Sequence, residues 1–162
     1  MFRNNFPVAR ALALLLPLGL MAGALGSQYL GGLYPCEMCW WQRYPHIAAI
    51  VLAALAFVVP GMAAKRALVL LATLAIIVSG AIGVFHAGVE YHWWEGITAC
   101  SSTMTGHGGS VEDMLKRIMD APVVRCDVAQ WTLFGISLAG FNALLSLGGG
   151  ATILWLMRRP RS

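Results

Sequence analysis

Charge is scarce in this chain. Asp, Glu, Lys and Arg make up 11% of its 162 residues, against 59% for the apolar set. A soluble domain usually carries about a quarter charged residues, so there is too little polar surface here to coat a water-facing globule. Four long stretches hold no charged residue: Ala11–Pro35, Tyr44–Ala64, Ala67–Phe85 and Val128–Met157. Strict alternation of apolar and polar positions is also missing, as the run Ala11-Leu12-Ala13-Leu14-Leu15-Leu16 illustrates, and this excludes the strands of an outer-membrane barrel. No repeat of solenoid period and no acidic tail is present. With about 20 residues needed per helical crossing, four crossings leave room for loops and tails but not for a separate large domain.

What is present is therefore a set of membrane helices. The expectation is an all-α integral membrane protein, one membrane domain over 1–162, built as a four-transmembrane-helix bundle. Its spans are expected at approximately 11–33, 43–62, 67–88 and 130–156, with outer loops at approximately 34–42 and 89–129. Pro60-Gly61 punctuates the end of span two, and Pro160 follows span four. Pro17 falls inside span one and predicts a kink, while Gly19 and Gly23 form a small-xxx-small pair expected to pack closely against another helix.

Basic residues flanking the spans set the orientation. Arg3, Arg10, Lys65, Arg66, Arg158, Arg159 and Arg161 occupy segments without acids and give one side +7; all seven acids fall on the other side, whose balance is −3. Both termini are expected to be cytoplasmic, and the net charge of +4 reflects this asymmetry, with no nucleic-acid partner implied. A cleavable signal is the alternative for the first segment, because Arg3 and Arg10 precede an apolar run ending in the small residues Ala24 to Ser27. The length of the uncharged run favours a retained span.

All four cysteines lie in the outer connections. Cys36-Glu37-Met38-Cys39 precedes span two, and Cys100 and Cys126 flank a long second loop. An exported compartment permits disulfides. Two outer pairs are the economical assignment, although four cysteines allow three connectivities. A C-x-x-C bridge closes too short a loop to serve as a stabilising staple, whereas that spacing lets the second sulfur attack a mixed disulfide formed by the first. Pro35 restrains the backbone ahead of Cys36, and Pro45 is tolerated if span two begins nearby. Cys39 would then lie near a helix N-terminus, where the macrodipole favours a thiolate, with Arg43 at i+4 on the same face. Arg43 could also stabilise negative charge on a bound electron acceptor; its alternative is a snorkelling or headgroup arginine. Trp40, Trp41 and Tyr44 form an interfacial belt.

Span three ends in Phe85-His86-Ala87-Gly88-Val89-Glu90, placing His86 and Glu90 at i,i+4 spacing on the outer rim. Ionisable groups at membrane depth are functional candidates. A neutral His86 could donate a hydrogen bond to an acceptor carbonyl and a protonated one could supply a proton, while Glu90 could orient the ring or connect it to outside water. His46 is expected to be packed or interfacial. Beyond span three, Gly96-Ile97-Thr98-Ala99-Cys100 is suited to lying extended in a partner's groove, and Ser101–Ser110 has flexible-linker composition. Ser110 can cap an amphipathic segment with Val111, Met114, Leu115, Ile118 and Met119 on one face, expected to lie on the membrane surface or pack against the bundle until Pro122 ends it.

Pro35-Cys36-Glu37-Met38-Cys39-Trp40-Trp41-Gln42-Arg43, His86 with Glu90, Cys100, Arg125-Cys126-Asp127 and Trp131, set on this topology, resemble the DsbB family of bacterial disulfide bond formation proteins. The likeness covers nearly the whole chain. It implies a thiol:quinone oxidoreductase of the bacterial inner membrane that reoxidises a periplasmic DsbA-like, thioredoxin-fold oxidase, with a ubiquinone- or menaquinone-type acceptor. On this resemblance Cys36, Cys39, Cys100 and Cys126 are catalytic, and Arg43, His86 and Glu90 contact the quinone. The implied sequence starts with attack by the partner's thiolate on Cys100 of a Cys100–Cys126 bridge; Cys126 then attacks Cys36 and releases Cys39. No metal is expected. A vitamin K epoxide reductase-like enzyme would carry its C-x-x-C after the loop cysteines, and here it comes first. The other classes are a metal-binding transporter, using cysteine and histidine as soft ligands, and a noncatalytic assembly subunit stapled by disulfides.

Overall fold

The structure is a computed structural model and describes residues 5–98, 110–112, 115 and 124–158. Among these, four helices are long and apolar enough to cross a membrane: α1 Phe6–Tyr29, α2 Glu37–Val58, α3 Met62–Glu90 and α4 Leu138–Arg158. The protein is an all-α membrane bundle. Cys100, the Ser101–Gly109 tract and most of the amphipathic segment after Ser110 lie outside the described residues.

Packing is inverted relative to a soluble bundle in the size of the buried side chains. Ala9, Ala13, Ala49, Ala53, Ala56 and Ala72 are fully buried, whereas Leu15, Val58, Leu74 and Leu144 are exposed on the outside. Lipid tails solvate leucine as well as a protein interior does, so close approach of backbones over small residues replaces the water-driven burial of large ones. At Gly83 of α3, an added Cβ would stand 3.0 Å from the Ala139 carbonyl oxygen of α4. Gly19 and Gly23 behave differently from their expected packing role. A Cβ at either would meet nothing within 4 Å, and both line a cavity.

The helix boundaries depart from the expected spans in two places that shape the site. Helix α2 begins at Glu37, six residues ahead of position 43, because Cys36 is its extended N-cap and its sulfur accepts the Cys39 N–H at 3.2 Å. Pro45 consequently sits inside α2, where it removes a donor, and not in the first turn. Helix α4 begins at Leu138, eight residues after position 130. A two-stranded antiparallel hairpin precedes it, β1 Thr132–Leu133 and β2 Ile136–Ser137, with Thr132 opposite Ser137 and Leu133 opposite Ile136. Its turn residues Phe134 and Gly135 both have positive φ, 51° and 77°, the geometry that matches the right-handed twist of a tight hairpin. Tyr91 pins this hairpin to the end of α3: its hydroxyl donates to the Gly135 carbonyl at 3.0 Å and accepts from the Ser137 N–H at 2.9 Å. Ser137 then caps α4, its Oγ accepting from the Gly140 N–H at 3.1 Å.

Two apolar clusters occupy opposite ends of the bundle. One gathers Phe6, Ala9, Ala53, Val69 and Ile153 at the end carrying both termini; the other gathers Cys36, Met38, Val89 and Cys126. The second cluster draws together the α1–α2 connection and the segment that precedes the hairpin. Gln130 Nε2 donates to the Tyr34 carbonyl at 2.7 Å and closes the same junction.

Candidate functional site

Cys36 and Cys39 lie on the first turn of α2 with their sulfurs 2.8 Å apart. Cys36 is buried and Cys39 is partly so, and the two are unbridged thiols. Cys126, 90 positions further along the chain, is fully buried against Cys36 and receives a hydrogen bond from Thr98 Oγ1 at 3.5 Å. Hydrogen bonding to Cys126, then to Cys39, and then burial push the Cys36 thiol above its ordinary range, because each favours the neutral form of this sulfur. Beside Cys126, the Arg125 guanidinium grips both oxygens of Asp127, holding that carboxyl below the usual carboxylate range.

Helix α3 delivers His86 to the same sulfur. Its Nε2 is 3.5 Å from Cys36 Sγ and 3.7 Å from a Glu90 carboxylate oxygen, one turn further along. The i,i+4 spacing does place both residues at the C-x-x-C end of the bundle. Glu90 also accepts from Ser137 Oγ, so the hairpin that caps α4 orients the carboxylate as well. Arg43 is 6% exposed, which removes it from the lipid headgroups. Its guanidinium donates to Gln28 Oε1 at 2.6 Å and to the Ala24 carbonyl at 3.2 Å, both on α1, and lies 5.1 Å from the Trp40 ring centroid. These bonds go to α1 and not to Cys39.

Between these groups lies a cavity of about 330 Å³, within the size range of small-molecule sites. Gly19 and Gly23 of α1, Phe141 and Leu145 of α4, and Leu20 supply apolar walls; Cys39, Arg43, His86 and Glu90 stand along its polar side. An apolar slot edged by a cation and a histidine, with a sulfur on its wall, suits a flat ring bearing polar oxygens. The same sulfur and imidazole atoms also form a potential soft-metal set, since Cys36, Cys39 and His86 ligand atoms lie within 4.8 Å of one another.

Below the cysteines runs a buried polar network that sequence reasoning missed apart from His46, expected as a packed residue. Gln42 Nε2 contacts His86 Nδ1 at 2.7 Å and donates to the Met38 carbonyl at 3.1 Å. Asn142 Nδ2 donates to Gln42 Oε1 at 2.8 Å and to the Ser79 carbonyl at 3.1 Å. Asn142 Oδ1 contacts His46 Nε2 at 2.9 Å and accepts from Ser146 Oγ at 2.9 Å. The available signal was the isolation of Ser79, Asn142 and Ser146 in otherwise apolar spans, where a polar side chain must find a partner across helices.

Residues 7–156 match the family model described as disulfide bond formation protein DsbB. A disulfide bond formation protein B of Methylococcus capsulatus is 30% identical over 82% of this chain and 82% of its own length. One of Marinobacter nauticus is 29% identical over 78% of this chain and 76% of its own. An uncharacterized protein of Rickettsia prowazekii is 20% identical over 90% of this chain and 84% of its own. No solved structure matches. The chain, with its four membrane-length helices and its C-x-x-C at the start of α2, belongs to the DsbB family of disulfide bond formation proteins.

Proposed function

We propose that this protein reoxidises a periplasmic, thioredoxin-fold dithiol oxidase and delivers the electron pair to a membrane quinone. Membership of the family supports a disulfide-forming membrane oxidoreductase. The observation that carries the relay to a quinone is the junction at Cys36, where Cys126 on one side and His86 with Cys39 and the cavity on the other meet a single sulfur.

The partner's thiolate attacks Cys100 of a Cys100–Cys126 bridge, and Cys126 leaves as the thiolate. A second partner thiol resolves the mixed disulfide, so the partner loses two electrons and two protons, and the loop pair gains them. Cys126 then attacks Cys36 of the Cys36–Cys39 bridge, forming a Cys36–Cys126 bond and releasing Cys39. Attack by Cys100 on Cys126 restores the loop bridge and leaves Cys36 and Cys39 reduced. Quinone, the electron-accepting substrate, takes up the two electrons and two protons when the Cys36–Cys39 bond forms again. Cys39 faces the cavity, Arg43 supplies fixed positive charge beside it, and His86 Nε2 with Glu90 handles protons at the outer end. Both termini lie on the cytoplasmic side and the cysteines face the periplasm, in line with the basic residues of the other segments. A stable structural disulfide near −300 mV could not oxidise a strongly oxidising partner, so the thermodynamic pull comes from the quinone.

Anaerobic mixing of the purified protein with a reduced thioredoxin-like oxidase and a soluble quinone tests this. Quinol is expected to form in proportion to partner disulfide, and Cys36→Ser or Cys39→Ser is expected to abolish it. Unchanged quinol formation in either variant would overturn the proposal.

A further inference from the structure

The hydrogens of the buried network can be assigned one by one, and they converge on His86. Asn142 Nδ2 is identified by the Ser79 backbone carbonyl 3.1 Å away, which can only accept. Its other hydrogen goes to Gln42 Oε1 at 2.8 Å. At the opposite end of the same amide, Gln42 Nε2 is identified by the Met38 carbonyl at 3.1 Å. Turning over either amide would set oxygen against oxygen. One Gln42 Nε2 hydrogen is therefore on Met38, and the other lies along the 2.7 Å contact to His86 Nδ1. That ring nitrogen must be the acceptor. A neutral imidazole accepting at Nδ1 carries its proton on Nε2, the atom 3.5 Å from Cys36 Sγ and 3.7 Å from Glu90.

We propose that Gln42 is a positioning residue that locks His86 in the Nε2–H tautomer, so that the buried ring presents a donor to the Cys36 sulfur and turns its lone pair away from the dithiol. This deepens the function proposed above and rests on it for its catalytic meaning, but the tautomer itself is independent of any acceptor. The lock has a second consequence. Cys36, Cys39 and His86 offer a set that a borderline cation such as Zn²⁺ would bind. Metal binding at Nε2 needs a lone pair there and a proton on Nδ1, where a Gln42 hydrogen already points. The same amide therefore opposes metal capture by the reduced pair and reserves it for sulfur exchange. Because carboxamides hold their protons, the ladder beyond Gln42 is a scaffold, and proton traffic is confined to the Nε2 side, toward Glu90.

The test is ¹⁵N-histidine NMR of the reduced full-length protein in lipid nanodiscs, with the His86 signals assigned by their loss in His86→Gln. His86 is expected to show an acceptor-type Nδ1 and a protonated Nε2. Gln42→Glu, which replaces the donor at Nδ1 by an acceptor, is expected to move the proton to Nδ1 and to tighten Zn²⁺ binding by the reduced protein about 10- to 100-fold, the usual reach of an outer-shell partner. Gln42→Leu, which removes the donor, is expected to mix the two tautomers and tighten Zn²⁺ binding less. A wild-type His86 carrying its proton on Nδ1 overturns the proposal whether or not the variants fold. Unchanged tautomer and zinc affinity in folded Gln42→Glu overturn it too. Normal quinone reduction with an Nδ1–H His86 sinks the lock alone; the expected tautomer without quinone reduction sinks the proposed function and leaves the lock standing.

Discussion

Arg43→Ala is expected to separate the proposed acceptor site from the proposed sulfur relay. The guanidinium is buried and makes two hydrogen bonds to α1, at 2.6 Å to Gln28 and 3.2 Å to the Ala24 carbonyl, while lining the cavity beside Cys39. A hydrogen bond to a charged group contributes roughly 1.5–3 kcal/mol. If one such interaction is made to the acceptor, its loss weakens acceptor use by about 10- to 150-fold at roughly 1.4 kcal/mol per factor of ten. Thiol exchange at Cys126 and Cys36 uses this cation only through its charge near the leaving Cys39 sulfur, so it is expected to slow less than acceptor use. Of the two released acceptors on α1, Ala24 lines the cavity, where water can take over its lost bond, and Gln28 is a flexible, partly exposed side chain, so the stability cost is expected to stay within about 2 kcal/mol. Arg43→Lys keeps the charge but not the fork that reaches Gln28 and Ala24 together, and is expected to fall between the two. The assay is quinol formation against quinone concentration, paired with single-turnover exchange from the partner without quinone. A raised KM for quinone with a smaller effect on exchange is the expected pattern. Wild-type quinone kinetics in Arg43→Ala would show that the residue only fastens α1 and would remove it from the site.

Three further outcomes follow from named contacts. Because hydrogen bonding to Cys126 and then Cys39 raises the Cys36 pKa, the neutral thiol persists at pH values where an ordinary one ionises; Cys36 alkylation in the reduced protein should keep rising beyond pH 9, and Cys126→Ala should bring its plateau down. A mass-spectrometric alkylation profile levelling near pH 8.5 in the wild type would contradict this. Gly88→Ala places a Cβ 2.0 Å from the Trp94 ring, which stacks on Phe85 and donates to its carbonyl at 2.9 Å. Displacing that indole should cost about 1–3 kcal/mol in a detergent denaturation series, and a neutral result would mean the ring is not seated there. Cys100→Ser should block electron uptake from the protein partner while leaving quinol formation from a small dithiol intact, since such a reagent can reach the Cys36–Cys39 bond directly; loss of both rates would refute the division of labour.

Much of the site's membership was readable from residue types and spacing. A C-x-x-C pair ahead of an apolar span, and a histidine and glutamate one turn apart at the end of another, are local patterns, and both helices extend far enough to carry them. The misplaced boundaries are also intelligible. Cys36 is not among the usual capping residues, so nothing local announced that α2 starts beside it. The hairpin at 132–137 was hidden inside an uncharged run because its residues are as apolar as the helix that follows.

The four helices were determined by sequence alone, because the cost of burying charge in hydrocarbon acts on each residue whatever its neighbours. Tertiary structure decided what those residues touch. Gln42 meets His86 across 44 positions and Asn142 across 100, and Gly19 and Gly23 open a cavity where close helix packing was expected. Hydrogen bonds and voids depend on which faces of separate helices come together, and a one-dimensional pattern of apolar residues, nearly uniform around each membrane helix, leaves those faces undefined.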